Sequence, residues 1–257
     1  MIDTTLLADY LDDLLEITRI PDYPGAMNGL QLSNRGKIRK VAAAVDFSSR
    51  TAALAIEQHA DLLIVHHGMF WSGAQSITGT RFERLRSLID NNVAVYSSHL
   101  PLDCHATFGN NTLLSRELGL EPAGEFAHHE NVSIGVSGRS EMPTLELVER
   151  ARAFASNHGG NVVATDFSQR AITGHWAMCT GSGASAETLQ EASEMRIDTL
   201  IVGEGPHWTA VDAAERGITT IYAGHYATET LGVRALAKHV ADHFGLDWTP
   251  LHAPTGL

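Results

Sequence analysis

Two adjacent histidines follow an apolar run in the segment LLIVHHG, residues 62–68. An unbroken run of branched apolar residues is typical of a strand buried in a parallel sheet. His66 and His67 are therefore predicted at the carboxyl end of such a strand, where ligands gather in open α/β sheets. Because successive side chains of an extended chain point to opposite sides, the two imidazoles could reach two different metal ions. A single histidine here would more often be structural, whereas the pair favours metal binding.

A histidine followed four residues later by a carboxylate occurs twice. His99 and Asp103 follow the apolar run VAVYS, and His225 and Glu229 follow the run TTIYAG. If each segment begins to coil, this spacing brings both side chains to one face. Imidazole and carboxylate together suit a borderline divalent cation. One such pair is a weak signal, since i,i+4 pairs are common on any helix, so the repetition carries the argument.

An internal repeat supports this interpretation. Residues 46–71 align without a gap to residues 183–208, and residues 95–103 align to residues 221–229. The resemblance of all strand–helix units explains the shared apolar runs, but it does not explain why Trp71 matches Trp208 and His99 matches His225. The alignment nominates the donors His67, His99, Asp103, Glu204, His225 and Glu229, with His66 as an addition. These are more donors than one ion needs but suit two ions roughly 3.5 to 4 Å apart, with Glu229 as the candidate bridge.

Short apolar runs alternate with helical patterns along the rest of the chain. Strands are predicted at 41–46, 62–65, 93–97, 132–138, 176–181, 199–203 and 219–224, and helices at 49–59, 80–91, 144–157, 185–195, 208–216 and 229–244. The alternation predicts an α/β fold of two halves related by a pseudo-twofold axis. Their mostly parallel sheets are expected to be covered by helices, with the metal site in the cleft between the halves. The expected division is 1–128 and 129–257, and it is approximate because the segment EFAHHENVS shows no break in composition.

Composition narrows the class of protein. The 257 residues are 44% apolar and 19% charged, which is typical of a globular protein. A net charge of -12 with 18 basic residues and no basic run argues against nucleic acid as a partner. Two cysteines are too few for a disulfide framework. The N-terminal segment has no signal-peptide pattern and no apolar run reaches membrane-spanning length, so a cytoplasmic protein without a membrane partner is expected.

Three further features are weaker candidates. His207 lies near the end of an apolar run and could contribute to chemistry, although a surface position is favoured. The turn TGSGAS, residues 180–185, could cradle an anion, but it lacks both a complete G-x-G-x-x-G and a P-loop lysine, so an ordinary turn is favoured. Cys104 adjoins Asp103 but has no evident base partner, which indicates a packing role.

Longer motifs resemble the Nif-three-like family, whose members are called dinuclear metal-centre hexameric proteins or GTP cyclohydrolase I type 2 homologs. The motifs are NGLQ (28–31), LIVHHGMFW (63–71), HLPLDCHATFGNNTLL (99–114) and GEG…AGHYATETLGVRAL (203–236). The resemblance implies that His66 and His225 bind one ion, that His67 and Asp103 bind the other, and that Glu229 bridges them. His99 and Glu204 match motif positions beside the ligands, which implies that they either support the ligands from behind or take part in proton transfer. A toroidal homohexamer is also implied.

The expected function follows from this constellation. Two bridged divalent ions can lower the pKa of a shared water to near neutrality, which favours a metal-dependent hydrolase of a small molecule. The family name implies opening of the guanine ring of GTP, yet no triphosphate-binding basic cluster is visible, and a phosphoester or an amide would suit the same ions. The alternative is a non-catalytic hexameric metal-binding regulator or scaffold. Open coordination positions would favour catalysis. Mixed imidazole and carboxylate ligands suit zinc, iron, manganese, cobalt and nickel alike.

Overall fold

The computed structural model describes all 257 residues. The first part of the chain holds six strands and four helices: β1 (Ile2–Asp3), α1 (Thr4–Leu14), β2 (Gly29–Leu32), β3 (Lys37–Ile38), β4 (Lys40–Asp46), α2 (Ser49–Glu57), β5 (Leu62–His67), α3 (Gly79–Asp90), β6 (Ala94–Ser97) and α4 (Leu100–Asp103). The strands and helices that the apolar runs predict in this part are all present. The short strands β1, β2 and β3 lie in polar or turn-rich sequence that gave no such pattern.

The second part holds seven strands and six helices: α5 (Asn110–Glu117), β7 (Gly124–His129), β8 (Val132–Pro143), α6 (Thr144–Asn157), β9 (Val163–Ala164), β10 (Ile172–Cys179), α7 (Ala186–Glu194), β11 (Thr199–Val202), α8 (His207–Glu215), β12 (Thr219–Tyr222), α9 (His225–Thr228), α10 (Thr230–Phe244) and β13 (Asp247–Pro250). Helix α6 has the bounds that the sequence predicts. No helix combines the length and the apolar character that a bilayer crossing requires.

The chain forms two compact units, which together confirm an α/β fold of two halves. One unit contains residues 1–105 and 232–253, and the other contains 106–231 and 254–257. Most of α10 and all of β13 thus belong with the N-terminal elements, because β13 pairs in parallel with β4 and completes the edge of its sheet. The compact units therefore differ from the expected division after residue 128, because residues 232–253 return to the first unit.

The sheet of the first unit has the strand order β13-β4-β5-β6-β2. Its first four strands are parallel, and β2 runs antiparallel to β6. All residues of β5 and β6 are buried, as expected for parallel strands covered on both faces. His66 and His67 are the last two residues of β5, and His99 follows the end of its neighbour β6. The topology therefore brings three histidines together at the carboxyl ends of two neighbouring strands.

The sheet of the second unit has the order β7-β8-β10-β11-β12-β9. Strands β10, β11 and β12 are parallel, while the pairs β7–β8, β8–β10 and β9–β12 are antiparallel. The prediction of a mostly parallel sheet is therefore confirmed for the first unit and wrong for the second. For β7 and β8 the reason is the tight connection after His129, where Glu130 takes a positive φ of 52° and the chain turns back as a hairpin.

Local structure confirms the internal repeat. Ser48 and Thr51 form a capping box at the start of α2, and Ser185 and Thr188 form the same box at the start of α7. Asp61 Oδ2 accepts hydrogen bonds from two successive backbone amides at the start of β4, at 2.8 and 3.1 Å. At the aligned position, Asp198 Oδ2 does the same for the amides of Gly174 and His175 in β10, at 3.0 and 2.7 Å. The aligned residues thus have matching structural roles.

Candidate metal centre

Three imidazoles cluster in the first unit. The ring centroid of His66 lies 4.9 Å from that of His67 and 4.8 Å from that of His99. One ring nitrogen of each histidine lies within 4.8 Å of those of the other two, and all three residues are buried. The expectation that His66 and His67 point to opposite sides is therefore wrong, since rings 4.9 Å apart turn toward each other.

Each histidine of this cluster has its Nδ1 atom within hydrogen-bonding distance of an oxygen. The contacts are His66 Nδ1 to the Ser98 carbonyl at 3.0 Å, His67 Nδ1 to Asp46 Oδ1 at 2.9 Å, and His99 Nδ1 to Asp22 Oδ1 at 2.8 Å. Carbonyl and carboxylate oxygens accept hydrogen bonds, so Nδ1 carries the proton in each ring. Nε2 is then the nitrogen available to a metal ion.

Burial acts strongly on His99. Burial lowers its pKa, and the nearby His66 adds to this effect, so that together they outweigh the opposing hydrogen bond and charge of Asp22. The imidazole is therefore neutral at physiological pH. A neutral imidazole can accept a proton or donate a lone pair, whereas an imidazolium can do neither.

Asp103 approaches the cluster from a short helix. The backbone N–H of Asp103 donates to the carbonyl of His99 at 3.1 Å, so the segment coils as the spacing of four predicts. Asp103 Oδ2 lies 3.4 Å from His66 Nε2. The resemblance implied that Asp103 shares an ion with His67, whereas this contact favours His66 as its partner.

A second cluster lies in the other unit, where α9 begins at His225. His225 Nε2 is 3.1 Å from Glu229 Oε2, and His225 Nδ1 is 2.8 Å from Glu204 Oε1. Glu229 is buried, with 3% of its surface exposed. Burial lowers the pKa of His225, but the hydrogen bonds and charges of Glu229 and Glu204 outweigh burial and raise it to about 9. The pair therefore carries a proton that a cation could replace.

Gly181, in the turn that follows β10, lies against the carboxylate of Glu229. Its backbone N–H donates to Thr228 Oγ1 at 3.1 Å, and its carbonyl accepts from the N–H of Glu204 at 2.7 Å. A Cβ atom at this position would collide with Glu229 Oε1, and the backbone has a φ of +63°. The turn thus supports the Glu229 carboxylate at close range, which gives the TGSGAS segment a structural role beside the second cluster.

Two exposed aromatic side chains adjoin the first cluster. The Trp71 ring lies 4.7 Å from His67 and 4.5 Å from His99, measured between ring centroids. Tyr23 packs edge-on against Trp71 at 6.5 Å and lies 6.1 Å from His99. Because Trp71 is 41% exposed and Tyr23 is 51% exposed, both offer apolar surface to a ligand beside the imidazoles.

The other sequence candidates lie apart from this chemistry. His207 is the exposed first residue of α8. Burial, followed by the charges of Asp103 and Asp22, raises the pKa of Cys104 to about 12, which keeps its thiol protonated. A protonated thiol is a poor nucleophile and a poor metal ligand.

Sequence reasoning missed the residues that hold the imidazoles. Asp46 was detectable in principle, because it ends strand β4 and pairs in register with His67 on the adjacent strand. Asp22 and Asn28 lie between α1 and β2 in irregular chain, where no periodicity indicates which side chains face inward. The resemblance included Asn28 within the motif NGLQ but gave it no role.

Comparison with known proteins identifies the kind of chain. The family model described as Duf34/NIF3 (NGG1p interacting factor 3) matches residues 3–252. A protein of Deinococcus radiodurans named GTP cyclohydrolase 1 type 2 homolog is 39% identical, over 98% of this chain and 93% of its own. A protein of Pyrococcus abyssi with the same name is 37% identical, over 98% of both chains.

Solved structures show the same fold. The structure titled protein ybgI, unknown function, has a TM-score of 0.89 and 31% identity, and TTHA1606 from Thermus thermophilus has a TM-score of 0.83 and 35% identity. Each match covers the whole of both chains. HcgD from Methanocaldococcus jannaschii, at 22% identity and a TM-score of 0.83, shares the fold.

The raised pKa of His225 predicts a pH dependence of metal binding. Below a pKa of about 9 the imidazole holds a proton that an ion must displace, so apparent zinc affinity rises with pH by about tenfold per unit between pH 7 and 9. Isothermal titration calorimetry in buffers of different ionisation enthalpy measures the protons released. Glu204→Gln lowers the pKa of His225 and reduces this release at pH 7.5. An affinity that is constant from pH 7 to 9 would contradict the assignment.

Substitution of Gly181 predicts a loss of metal binding without general unfolding. Gly181→Ala places a methyl group on the Glu229 carboxylate and displaces it. Gly217→Ala is the matched control, because Gly217 also has a positive φ, of +70°, but no atom lies within 4 Å of its Cβ position. Both variants should lose similar thermal stability, about 1 kcal/mol from backbone strain, and Gly181→Ala alone should lose bound ions. Equal metal content in the two variants would show that Gly181 does not support Glu229.

Proposed function

Since the chain belongs to the Duf34/NIF3 family, we propose that it binds two divalent metal ions and uses them to hydrolyse a small molecule. One observation carries the proposal: four buried or half-buried imidazoles, each fixed through Nδ1 by an oxygen, stand beside the carboxylates of Asp103 and Glu229. Oriented imidazoles with adjacent carboxylates form the donor set that zinc, iron, manganese, cobalt and nickel accept.

We assign five ligands to the two ions. His66 and Asp103 would hold one ion, as their 3.4 Å contact supports, which leaves His67 and His225 for the other. Glu229 would serve both, since a carboxylate has two oxygens. The pair His225 and Glu229 offers two donors by itself, fewer than a divalent ion requires, so the combined set of five follows the family resemblance.

The proposed chemistry divides between the ions and the protein. Bound divalent ions would supply an activated water and polarise the carbonyl or phosphoryl oxygen under attack. His99 would accept a proton from the water through Nε2, because its Nδ1 is committed to Asp22. Glu204 would orient His225 through its Nδ1 and, with a side chain that is 42% exposed, could exchange a proton with solvent.

The substrate we propose contains a planar ring. Trp71 and Tyr23 expose aromatic surface beside His67 and His99, where a ring could stack on Trp71. Relatives named GTP cyclohydrolase 1 type 2 homolog make opening of a guanine-type ring the first reaction to test. The net charge of -12 favours a ligand with fewer negative charges than a triphosphate.

Assembly and location are proposed on different grounds. We propose a homohexamer, as the Nif-three-like family implies, and a cytoplasmic location, as the sequence analysis expects. The acidic composition supports a small-molecule substrate over nucleic acid as the partner.

Metal analysis tests the two-ion centre. Purified protein reconstituted with zinc should contain about two ions per chain by inductively coupled plasma mass spectrometry. Glu229→Gln should lose both ions, because a bridge serves both. Glu191→Gln is the matched control, since Glu191 also pairs with a histidine, His128 at 2.6 Å, outside the clusters. Retention of both ions by Glu229→Gln would remove the bridging assignment.

Turnover is tested on the same preparations. We expect the metal-loaded protein to hydrolyse a purine nucleotide or a phosphoester faster than the Glu229→Gln variant does, by at least about 100-fold. Trp71→Ala should raise KM more for the ring-containing substrate than for bis(4-nitrophenyl) phosphate. Two bound ions without turnover of nucleotides, phosphoesters or peptides would instead favour the non-catalytic regulator.

A further inference from the structure

The carboxylate of Asp22 makes contacts on both of its oxygens. Oδ1 accepts a hydrogen bond from the N–H of Tyr23 at 2.7 Å and lies 2.8 Å from His99 Nδ1. Oδ2 accepts from the N–H of Leu100 at 2.9 Å and from Asn28 Nδ2 at 2.9 Å. Because each of these contacts supplies a hydrogen-bond donor, the carboxylate is fixed in orientation and its ionised form is favoured.

Asn28 completes the arrangement. While its Nδ2 donates to Asp22, its Oδ1 accepts from the backbone N–H of His99 at 2.8 Å. His99 is therefore held at two points, through the backbone by Asn28 and through the ring by Asp22. Both partners come from the irregular segment between α1 and β2, far from His99 in sequence. The two attachments fix both the backbone and the ring orientation of His99.

The contact between Asp22 and His99 is buried. His99 is 8% exposed, and the Asp22 side chain is 6% exposed. Burial raises the pKa of Asp22, but the hydrogen bond and charge of His99, with the bonds from Asn28 and Leu100, outweigh it and lower the pKa. Asp22 thus stays ionised next to a histidine ring, as in the carboxylate–histidine pairs that fix an imidazole tautomer.

We propose that Asp22, fixed by Asn28, is a positioning residue that holds His99 as the Nδ1–H tautomer with Nε2 directed to accept a proton. The chemical role rests on the proposed hydrolysis. There, Nε2 takes a proton as the water oxygen bonds to the substrate carbon or phosphorus, and it returns that proton to the leaving group as the scissile bond breaks. The negative charge of Asp22 stabilises the imidazolium formed in between.

Asp22 and Asp46 make similar contacts to histidines, but they have different expected roles, because only Asp46 contacts a proposed metal ligand. Asp46 lies 2.9 Å from His67 Nδ1, so Asp46→Asn should weaken metal binding. Asp22 serves an imidazole outside the proposed ligand set, so Asp22→Asn should leave metal content unchanged and alter proton transfer. A merely structural role for Asp22 would change thermal stability without changing the tautomer of His99.

The tautomer can be read directly by nitrogen-15 NMR. Long-range nitrogen–proton correlation spectra of the zinc-loaded full chain distinguish Nδ1–H from Nε2–H rings, and the His99→Gln variant assigns the signal. We expect His99 to be Nδ1–H in the wild type. Asp22→Asn should shift it toward Nε2–H, because the substituted side chain can turn an amide N–H toward Nδ1, and an N–H group cannot accept the Nδ1 proton. Asp12→Asn is the control, since Asp12 is a partly buried carboxylate in contact with Tyr96.

Kinetics supplies the second measurement. With bis(4-nitrophenyl) phosphate as the probe, Asp22→Asn should lower kcat by about 100-fold with little change in KM, while the ion content stays at the wild-type value. Asn28→Ala should give an intermediate loss. If Asp22→Asn does not fold, the wild-type spectrum and Asn28→Ala carry the test.

The outcomes separate this inference from the proposed function. A wild-type His99 in the Nε2–H form, or one whose Nε2 binds zinc, would overturn the positioning role, as would an unchanged His99 signal in Asp22→Asn. Absence of turnover in a wild type that shows the Nδ1–H form would overturn the proton-transfer role and the hydrolase together, and would leave the tautomer assignment standing.

Discussion

The arrangement of the candidate site depends on one repeated interaction, an oxygen atom that holds the Nδ1 side of an imidazole. It occurs at His66, His67, His99 and His225, with a backbone carbonyl in one case and carboxylates in the others. A neutral histidine fixed in this way loses its choice of tautomer, so its lone pair is on Nε2.

The scaffold places these oxygens by ordinary sheet geometry. Parallel strands end at the same edge, so Asp46 at the end of one strand lies in register with His67 at the end of the next. Burial of the strands fixes the register, because a slip of one residue would turn apolar side chains out of the core. The matched capping boxes and the roles of Asp61 and Asp198 show that the same local rules built both halves.

The two clusters differ in electrostatic character. In the first, several imidazoles lie close together and burial keeps His99 neutral. In the second, two carboxylates surround His225 and hold it protonated. The first cluster thus presents a neutral imidazole at His99, and the second presents negative charge offset by a proton.

The sequence by itself determined the α/β class, the repeat, and most strands and helices. It also nominated candidate site residues, because strand-end position and spacing are local properties: His66, His67, His99, Asp103, Glu204, His225 and Glu229. Only the tertiary structure revealed the hairpin of the second sheet, the position of β13 and most of α10 in the first unit, and the contact of Asp103 with His66. Asp22 and Asn28 also emerged only from the fold. They act through long-range hydrogen bonds from irregular chain, and no periodicity in sequence encodes such contacts.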